Sequence, residues 1–237
     1  MPIQNYFTII SYFFLFLLFS FFFLRYRKQF SGMIEWSLSF FLFFGAMFIF
    51  VLRQMHQKEG ILFIQLTNLF FIFGQILFNA GYRKFLSASP RKNQLLSDII
   101  IIVFSQILIF YFSYFNPCFE ARIVVFSIVM FYLLLESFFI YFRSDSSVKS
   151  KFVKILLLNF FYMLFGTVRA LRSAYILFQN KKLESGDLYE LFFYISIQVL
   201  TLLTGFFLML LISEKLRIGL KETIQKRRAA FIPLKKT

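Results

Sequence analysis

Cysteine and histidine are almost absent from this sequence of 237 residues. It contains one cysteine, Cys118, and one histidine, His56. Because a disulfide needs two thiols, a disulfide framework within one chain is excluded. Zinc sites are built from several Cys and His side chains, so a Cys/His metal site within one chain is excluded as well. We therefore predict no metal site and no cofactor.

Acidic residues are also scarce. The chain has 11 Asp and Glu residues against 26 Lys and Arg residues, which gives a formal net charge of +15. In a soluble protein this excess would suggest nucleic-acid binding, but no RNA- or DNA-binding motif accompanies it. The basic residues lie instead at the ends of hydrophobic stretches, where they can face anionic lipid headgroups. The charge indicates a lipid bilayer as the partner, and not nucleic acid.

Motifs of catalysis are missing too. The sequence has no acid pair with a base, no G-x-S-x-G motif and no glycine-rich loop for a phosphate. A microbial rhodopsin would need a lysine midway along its seventh helix to bind retinal, and residues 189–212 contain none. We therefore predict that the chain is not an enzyme.

Apolar residues, by contrast, make up 59% of the chain, and the mean hydropathy is +0.74. A soluble domain of this length could not bury so much apolar surface in one core. Crossing the hydrocarbon of a bilayer takes roughly 20 apolar residues. Seven stretches meet this requirement, which predicts an all-α fold, an integral membrane bundle of seven transmembrane helices. The predicted spans are residues 5–24, 33–52, 61–82, 97–116, 121–142, 153–178 and 189–212.

The distribution of Lys and Arg predicts the orientation of this bundle. The connections after the first, third and fifth spans and the tail are rich in these residues. The positive-inside rule therefore places the N-terminus outside and the C-terminus inside, in a multi-pass protein of the bacterial cytoplasmic (inner) membrane. We divide the chain into a transmembrane domain, 1–212, and a basic cytoplasmic tail, 213–237, which we interpret as a stalk remnant. The opposite side holds only Arg53, Lys58, Arg122, Lys181 and Lys182.

Four amide side chains recur within the third span, Gln65, Asn68, Gln75 and Asn79. Spacings of three, seven and four place them on one face of a helix. Polar groups are costly in hydrocarbon, so this face calls for an explanation. It is either an interhelical hydrogen-bond seam that fixes packing or the lining of a cavity that binds a ligand or senses a signal.

Glu136 is the one carboxylate that lies well inside a predicted span. An ionised carboxylate there needs a partner or access to water, and otherwise takes up a proton. Both a structural role and proton-coupled chemistry are open. We count Glu136 with the four amides as a candidate ligand-binding or signal-sensing residue.

Two arginines, Arg169 and Arg172, lie three positions apart in the outer half of the sixth span and therefore share a helix face. The seventh span begins nearby with Asp187 and Glu190. Ion pairs between the two sets would neutralise the arginines and lock the two helices together. The alternative is an anion-binding mouth that opens to the outside, because guanidinium groups suit carboxylate and phosphate ligands.

The tail continues the helical pattern of the seventh span. Ile212, Leu216, Leu220 and Ile224 recur every fourth residue among charged neighbours. This pattern predicts that the seventh helix extends into the cytoplasm. The extension is either a stop-transfer anchor of basic side chains or a signalling stalk that transmits a shift of the seventh helix.

Several short motifs occur in a fixed order along the chain. Together they resemble the seven-helix membrane input (sensor) regions of bacterial diguanylate cyclases and some histidine kinases, over about residues 5–228. In that family a GGDEF catalytic domain or a kinase core follows the stalk. This sequence has no such motif, so the resemblance implies a sensing or transmitting module without the output domain. The motifs are Trp36, Gly45, Asn68, Gly81-Tyr82-Arg83-Lys84-Phe85-Leu86, Arg169-Ala170 and Ser213-Glu214-Lys215-Leu216.

We therefore expect a membrane module that relays a stimulus through the seventh helix to a cytoplasmic signalling protein. A small transporter or channel component is the alternative function, and a truncated remnant without a function is a third. The sequence leaves a homodimer open.

Overall fold

A computed structural model describes residues 3–26, 31–55, 60–89, 93–144, 149–179 and 188–231. Within these ranges every regular element is an α-helix, so the predicted all-α fold is confirmed. The helices are α1 Ile3–Tyr26, α2 Met33–Met55, α3 Ile61–Phe85, α4 Gln94–Tyr114, α5 Phe119–Phe142, α6 Lys149–Phe178 and α7 Leu188–Phe231.

All seven helices are long and apolar enough to cross a membrane. The chain is therefore a multi-pass membrane protein with seven candidate spans. The sequence placed most boundaries within a few residues, which is the usual uncertainty for helix ends. The largest differences are that α6 begins at Lys149, four residues before its predicted start, and that α7 continues to Phe231.

Six of the helices form a closed ring. Going around it, α1 packs against α2, α2 against α3, α3 against α5, α5 against α6, α6 against α7, and α7 against α1. Among the described residues α4 packs only against α3 and α5, so it lies outside the ring. The main apolar cluster fills the interior of the ring with side chains from α1, α2, α3, α5, α6 and α7.

A close helix approach in the ring joins the start of α2 to the end of α3. A Cβ atom on Gly32 would lie 2.4 Å from the carbonyl oxygen of Gly81, and Gly32 has a φ of +93° that side chains rarely adopt. A Cβ atom on Gly81 would lie 2.5 Å from the indole ring of Trp36. Small residues let helix backbones approach closely in a membrane, where packing drives association. Both glycines are therefore required by contact and not by flexibility alone.

Aromatic rings surround this close approach. Trp36 is fully buried. Its ring centroid lies 5.8 Å from that of Tyr82, in an edge-on arrangement, and 5.1 Å from that of Phe85. Its indole N–H donates to the carbonyl oxygen of Phe78 over 3.2 Å. Edge-on aromatic pairs add roughly 0.5–1.5 kcal/mol beyond area burial. The indole thus fixes α2 against α3 by shape and by a directed hydrogen bond.

On the far side of the ring, hydroxyl groups join α1, α6 and α7. Tyr162 and Thr201 share a hydrogen bond of 2.7 Å, and the Tyr12 hydroxyl lies 3.4 Å from the same threonine oxygen. These side chains give the mainly apolar interior a directional contact where the ring closes.

The last helix is much longer than a bilayer requires. α7 has 44 residues, which at 1.5 Å per residue is a length of about 66 Å, against a hydrocarbon thickness of about 30 Å. The helix passes residue 212, the predicted end of the span, without a break. The tail therefore begins as a continuation of α7, as its four-residue spacing predicted.

Candidate functional site

Three side chains from different parts of the chain converge on the last turn of α3. Ser31 donates to the carbonyl oxygen of Lys84 over 2.8 Å, and Ser144 donates to that of Leu86 over 2.9 Å. Lys215 donates to the carbonyl oxygen of Phe85 over 2.6 Å. The last carbonyls of a helix have no partner within the helix, so these contacts satisfy them. We call Lys84, Phe85 and Leu86 the α3 junction.

The convergence also shows that the ends of several helices share one end of the bundle. Ser31 precedes α2, Ser144 follows α5, and Lys215 lies on α7, beyond the predicted span. We call this the basic end, because the Lys- and Arg-rich connections belong to it. The three donors make the α3 junction a point where α2, α5 and α7 meet.

Lys215 makes the strongest of these contacts. Its amine lies 4.2 Å from the centroid of the Phe85 ring as well as on the Phe85 carbonyl. A cation is also stabilised at a helix C-terminus by the helix dipole, and a cation–π contact contributes about 0.5–2 kcal/mol, depending on its desolvation. Because the side chain is half-buried, these attractions act under reduced screening by water.

An ion pair between Arg83, which directly precedes the α3 junction, and Glu136 joins α3 to α5. Their side chains are 14% and 12% exposed. The second oxygen of Glu136 accepts from the amide of Asn79 over 3.1 Å, and the same amide nitrogen donates to the carbonyl oxygen of Leu133 over 2.7 Å. Ser137 donates to the amide oxygen of Asn79 over 3.0 Å. Glu136 is thus a paired carboxylate, one of the conditions that the sequence left open.

The four predicted amides of α3 divide into two groups. The amide nitrogen of Gln75 donates to the amide oxygen of Asn79 over 3.5 Å and so extends the hydrogen-bond network around Glu136. Asn68 donates to the carbonyl oxygen of Ile64 on its own helix over 2.8 Å. The amide nitrogen of Gln65 is enclosed and has no hydrogen-bond partner in the described part of the chain. Of the four amides on the predicted face, Gln75 and Asn79 therefore belong to the site around Glu136, and the other two do not.

The structure describes only one side of the ion pairs that the sequence predicts between α6 and the start of the seventh span. Arg169 and Arg172 lie on α6, and both take part in interactions. Asp187 and the side chain of Glu190 lie outside the described residues. Pairing between the two sets therefore stays a prediction, as does the anion-binding mouth.

A cavity of 180 Å³ opens beside the ion pair, between α3, α4 and α5. Gln94, at the start of α4, lines the cavity and donates to Asp98 over 3.0 Å. Among the residues that the structure describes, no group of three or more His, Cys, Asp or Glu could hold a metal ion. The cavity is lined by Arg83, Ser89, Gln94, Tyr132, Glu136, Phe139, Ile140 and Arg143.

Sequence reasoning counted Arg83, Lys215 and Arg143 as cations near a membrane edge, and the first two also as members of motifs, but it did not predict their contacts. For Arg83 a signal was present, because it follows Asn79 by four residues and so continues the polar face. For Lys215 and Arg143 no local signal exists, since their surroundings come from distant parts of the chain.

Comparison of the chain with protein-family models, with curated proteins and with solved structures gave no match. The resemblance to bacterial input regions therefore stays a prediction from the motifs.

Proposed function

We propose that this protein is a membrane sensory or signal-transmitting module that relays a change in the bundle through α7 to a cytoplasmic partner. The contact that carries the proposal is the one between Lys215 and Phe85. It fastens α7, at the point where the helix leaves the bundle, to a junction that also receives side chains from α2 and α5. Movement of any of these helices changes the position of α7.

The length of α7 supports the same proposal. A rigid helix carries a rotation or shift along its axis, and helix shifts are a common element of switching proteins. Beyond the junction, Leu220 is 63% exposed and Ile224 is 43% exposed. A partner that packs against this extension would respond to a displacement that begins at the α3 junction.

Two features of the sequence agree with it. The positive-inside rule places the basic end in the cytoplasm, and with it the extension of α7. Three of the six motifs of the resemblance also meet here, since Trp36 contacts Tyr82 and Phe85, and Lys215 contacts Phe85. Motifs that are far apart in sequence thus belong to one structural unit.

The test is photocrosslinking in cells with a benzoylphenylalanine residue at Leu220 or Ile224. Phe206 and Leu210 are matched controls, because they are similarly exposed on α7 but lie within the span predicted from the sequence, residues 189–212. We expect one discrete protein adduct from the extension and none from the controls. We also expect Lys215→Met to change the yield of that adduct. Two results would overturn the proposal: adducts with lipid only, or a yield of the protein adduct that is the same with and without Lys215→Met.

A small transporter is the rival, and the polar cavity beside Glu136 is the observation that favours it. Flux measurements in proteoliposomes distinguish the two functions. Proton-dependent flux that Glu136→Gln abolishes would favour the transporter. The absence of flux together with a Lys215-dependent adduct is the result expected of a signalling module.

A further inference from the structure

We infer that the cavity between α3, α4 and α5 binds the phosphate group of an anionic phospholipid. Its wall is rich in hydrogen-bond donors. Arg83, Arg143, Gln94, Ser89 and Tyr132 all contribute to the lining and all carry N–H or O–H groups. A phosphate supplies several strong acceptor oxygens, so it matches such a wall.

The carboxylate in the wall does not oppose an anion. One oxygen of Glu136 accepts from Arg83 and the other accepts from Asn79, so its charge is already compensated. Arg83 has five N–H groups and uses one nitrogen for this pair, which leaves donors for a ligand. Asp98 accepts from Gln94 and does not line the cavity, although its charge acts on both Arg83 and Glu136.

Arg143 supplies a second positive charge to the wall. It caps the C-terminal end of α5, and its side chain is exposed. In the ranges that the structure describes, it takes part in no ion pair. Basic pockets between transmembrane helices at headgroup level are suited to anionic lipid headgroups.

The apolar rim of the cavity favours a lipid over a free anion. Phe139 and Tyr132 line the cavity and are 51% and 37% exposed. Phe142, at the end of the same helix, is 71% exposed. In a membrane this surface faces acyl chains, so the donor-rich wall opens onto a path that the tails of a phospholipid can follow.

The size of the cavity agrees with a headgroup. Its volume of 180 Å³ equals about six water molecules at about 30 Å³ each. This is room for one phosphate with a few further atoms, and too little for a folded peptide. The inference concerns binding alone and does not depend on whether α7 relays a signal.

Native mass spectrometry of the protein in detergent tests the inference, with phosphatidylglycerol as the probe and phosphatidylcholine, a zwitterion of zero net charge, as the reference. We expect one tightly held phosphatidylglycerol, and Arg143→Gln should weaken its binding about tenfold, the usual effect of losing a charge-assisted hydrogen bond. Arg143→Lys keeps the charge and should retain most of the affinity. Arg217→Gln is the matched control, because Arg217 lies at the same end of the bundle, pairs with Glu214 and does not line the cavity.

Three results would overturn the inference. The first is an equal effect of Arg143→Gln and Arg217→Gln, which would mean general surface attraction. The second is equal binding of phosphatidylcholine and phosphatidylglycerol. The third is displacement of the lipid by millimolar inorganic phosphate, which would make a soluble phosphate the ligand. A thermal melt of each variant shows whether lost binding reflects lost structure.

Discussion

The amine of Lys215 on α7 donates to the carbonyl oxygen of Phe85 at the end of α3, across 130 positions of sequence and a distance of 2.6 Å. It also faces the Phe85 ring at 4.2 Å. One side chain thus satisfies an orphan carbonyl, covers an aromatic ring and fixes the exit of the longest helix. The stability and the position of α7 should both depend on it.

Lys215→Met should lower the free energy of unfolding by about 1.5–3 kcal/mol, the usual contribution of a hydrogen bond to a charged group. Methionine keeps the length of the side chain but removes the donor and the charge. The control is Lys221→Met, since Lys221 is exposed on the same helix. Reversible unfolding in mixed micelles measures both variants. Equal free energies of unfolding for Lys215→Met and Lys221→Met would contradict a stabilising contact between Lys215 and Phe85.

The two glycines at the start of α2 and the end of α3 should be intolerant of a methyl group. Gly32→Ala combines a φ of +93° with a Cβ 2.4 Å from a backbone oxygen, so we expect a loss of at least about 2 kcal/mol. Gly166 and Gly219 are matched controls in open space. Alanine there should be neutral or stabilise by up to about 1 kcal/mol. Thermal melts of the four alanine variants test the contrast, and similar melts would refute it.

A double-mutant cycle on Arg83→Met and Glu136→Gln should show strong coupling. Removing one partner of a buried pair costs about 3–5 kcal/mol, because the other charge is left uncompensated. The double variant should therefore lose less than the sum of the single variants, with a coupling of about 2 kcal/mol. The reference cycle is the more exposed pair Arg217–Glu214, where we expect a coupling below about 1 kcal/mol. Additive effects at Arg83 and Glu136 would mean that the two residues do not meet.

Asn79→Leu should be far more harmful than Asn68→Leu, although both residues are amides on α3. Asn79 is fully buried, contacts α5 and holds one oxygen of Glu136, and each buried group left unsatisfied costs about 1–3 kcal/mol. Asn68 bonds only within its own helix in the described structure. Comparison of unfolding free energies tests this, and equal losses would show that the network around Glu136 does not stabilise the bundle.

The number and approximate positions of the helices followed from the sequence because the bilayer imposes a simple rule on span length. The same rule cannot say where a helix ends once it leaves the hydrocarbon. For this reason α7 was divided at residue 212, although its hydrogen bonds continue to Phe231. Arg83 was placed outside α3 on the same ground, although it lies in the last turn of that helix.

The candidate site was only partly predictable, because its contacts join distant parts of the chain. The cost of charge in hydrocarbon identified Glu136 as a residue that needs a partner, but it could not identify Arg83 as that partner. The face shared by Gln75 and Asn79 followed from helix geometry. The contact of Lys215 with the α3 junction depends on how α7 packs in the ring, and no local pattern encodes it.

The measurement that tests the central claim most directly is the distance between spin labels at Ile34 and Leu220, by pulsed electron paramagnetic resonance in lipid nanodiscs. Both positions are exposed, one at the start of α2 and the other on the extension of α7, and Cys118→Ser removes the one native thiol. We predict a narrow distance distribution that shifts or broadens in Lys215→Met and stays unchanged in Lys221→Met. An identical distribution in both variants would contradict the claim that the α3 junction positions α7.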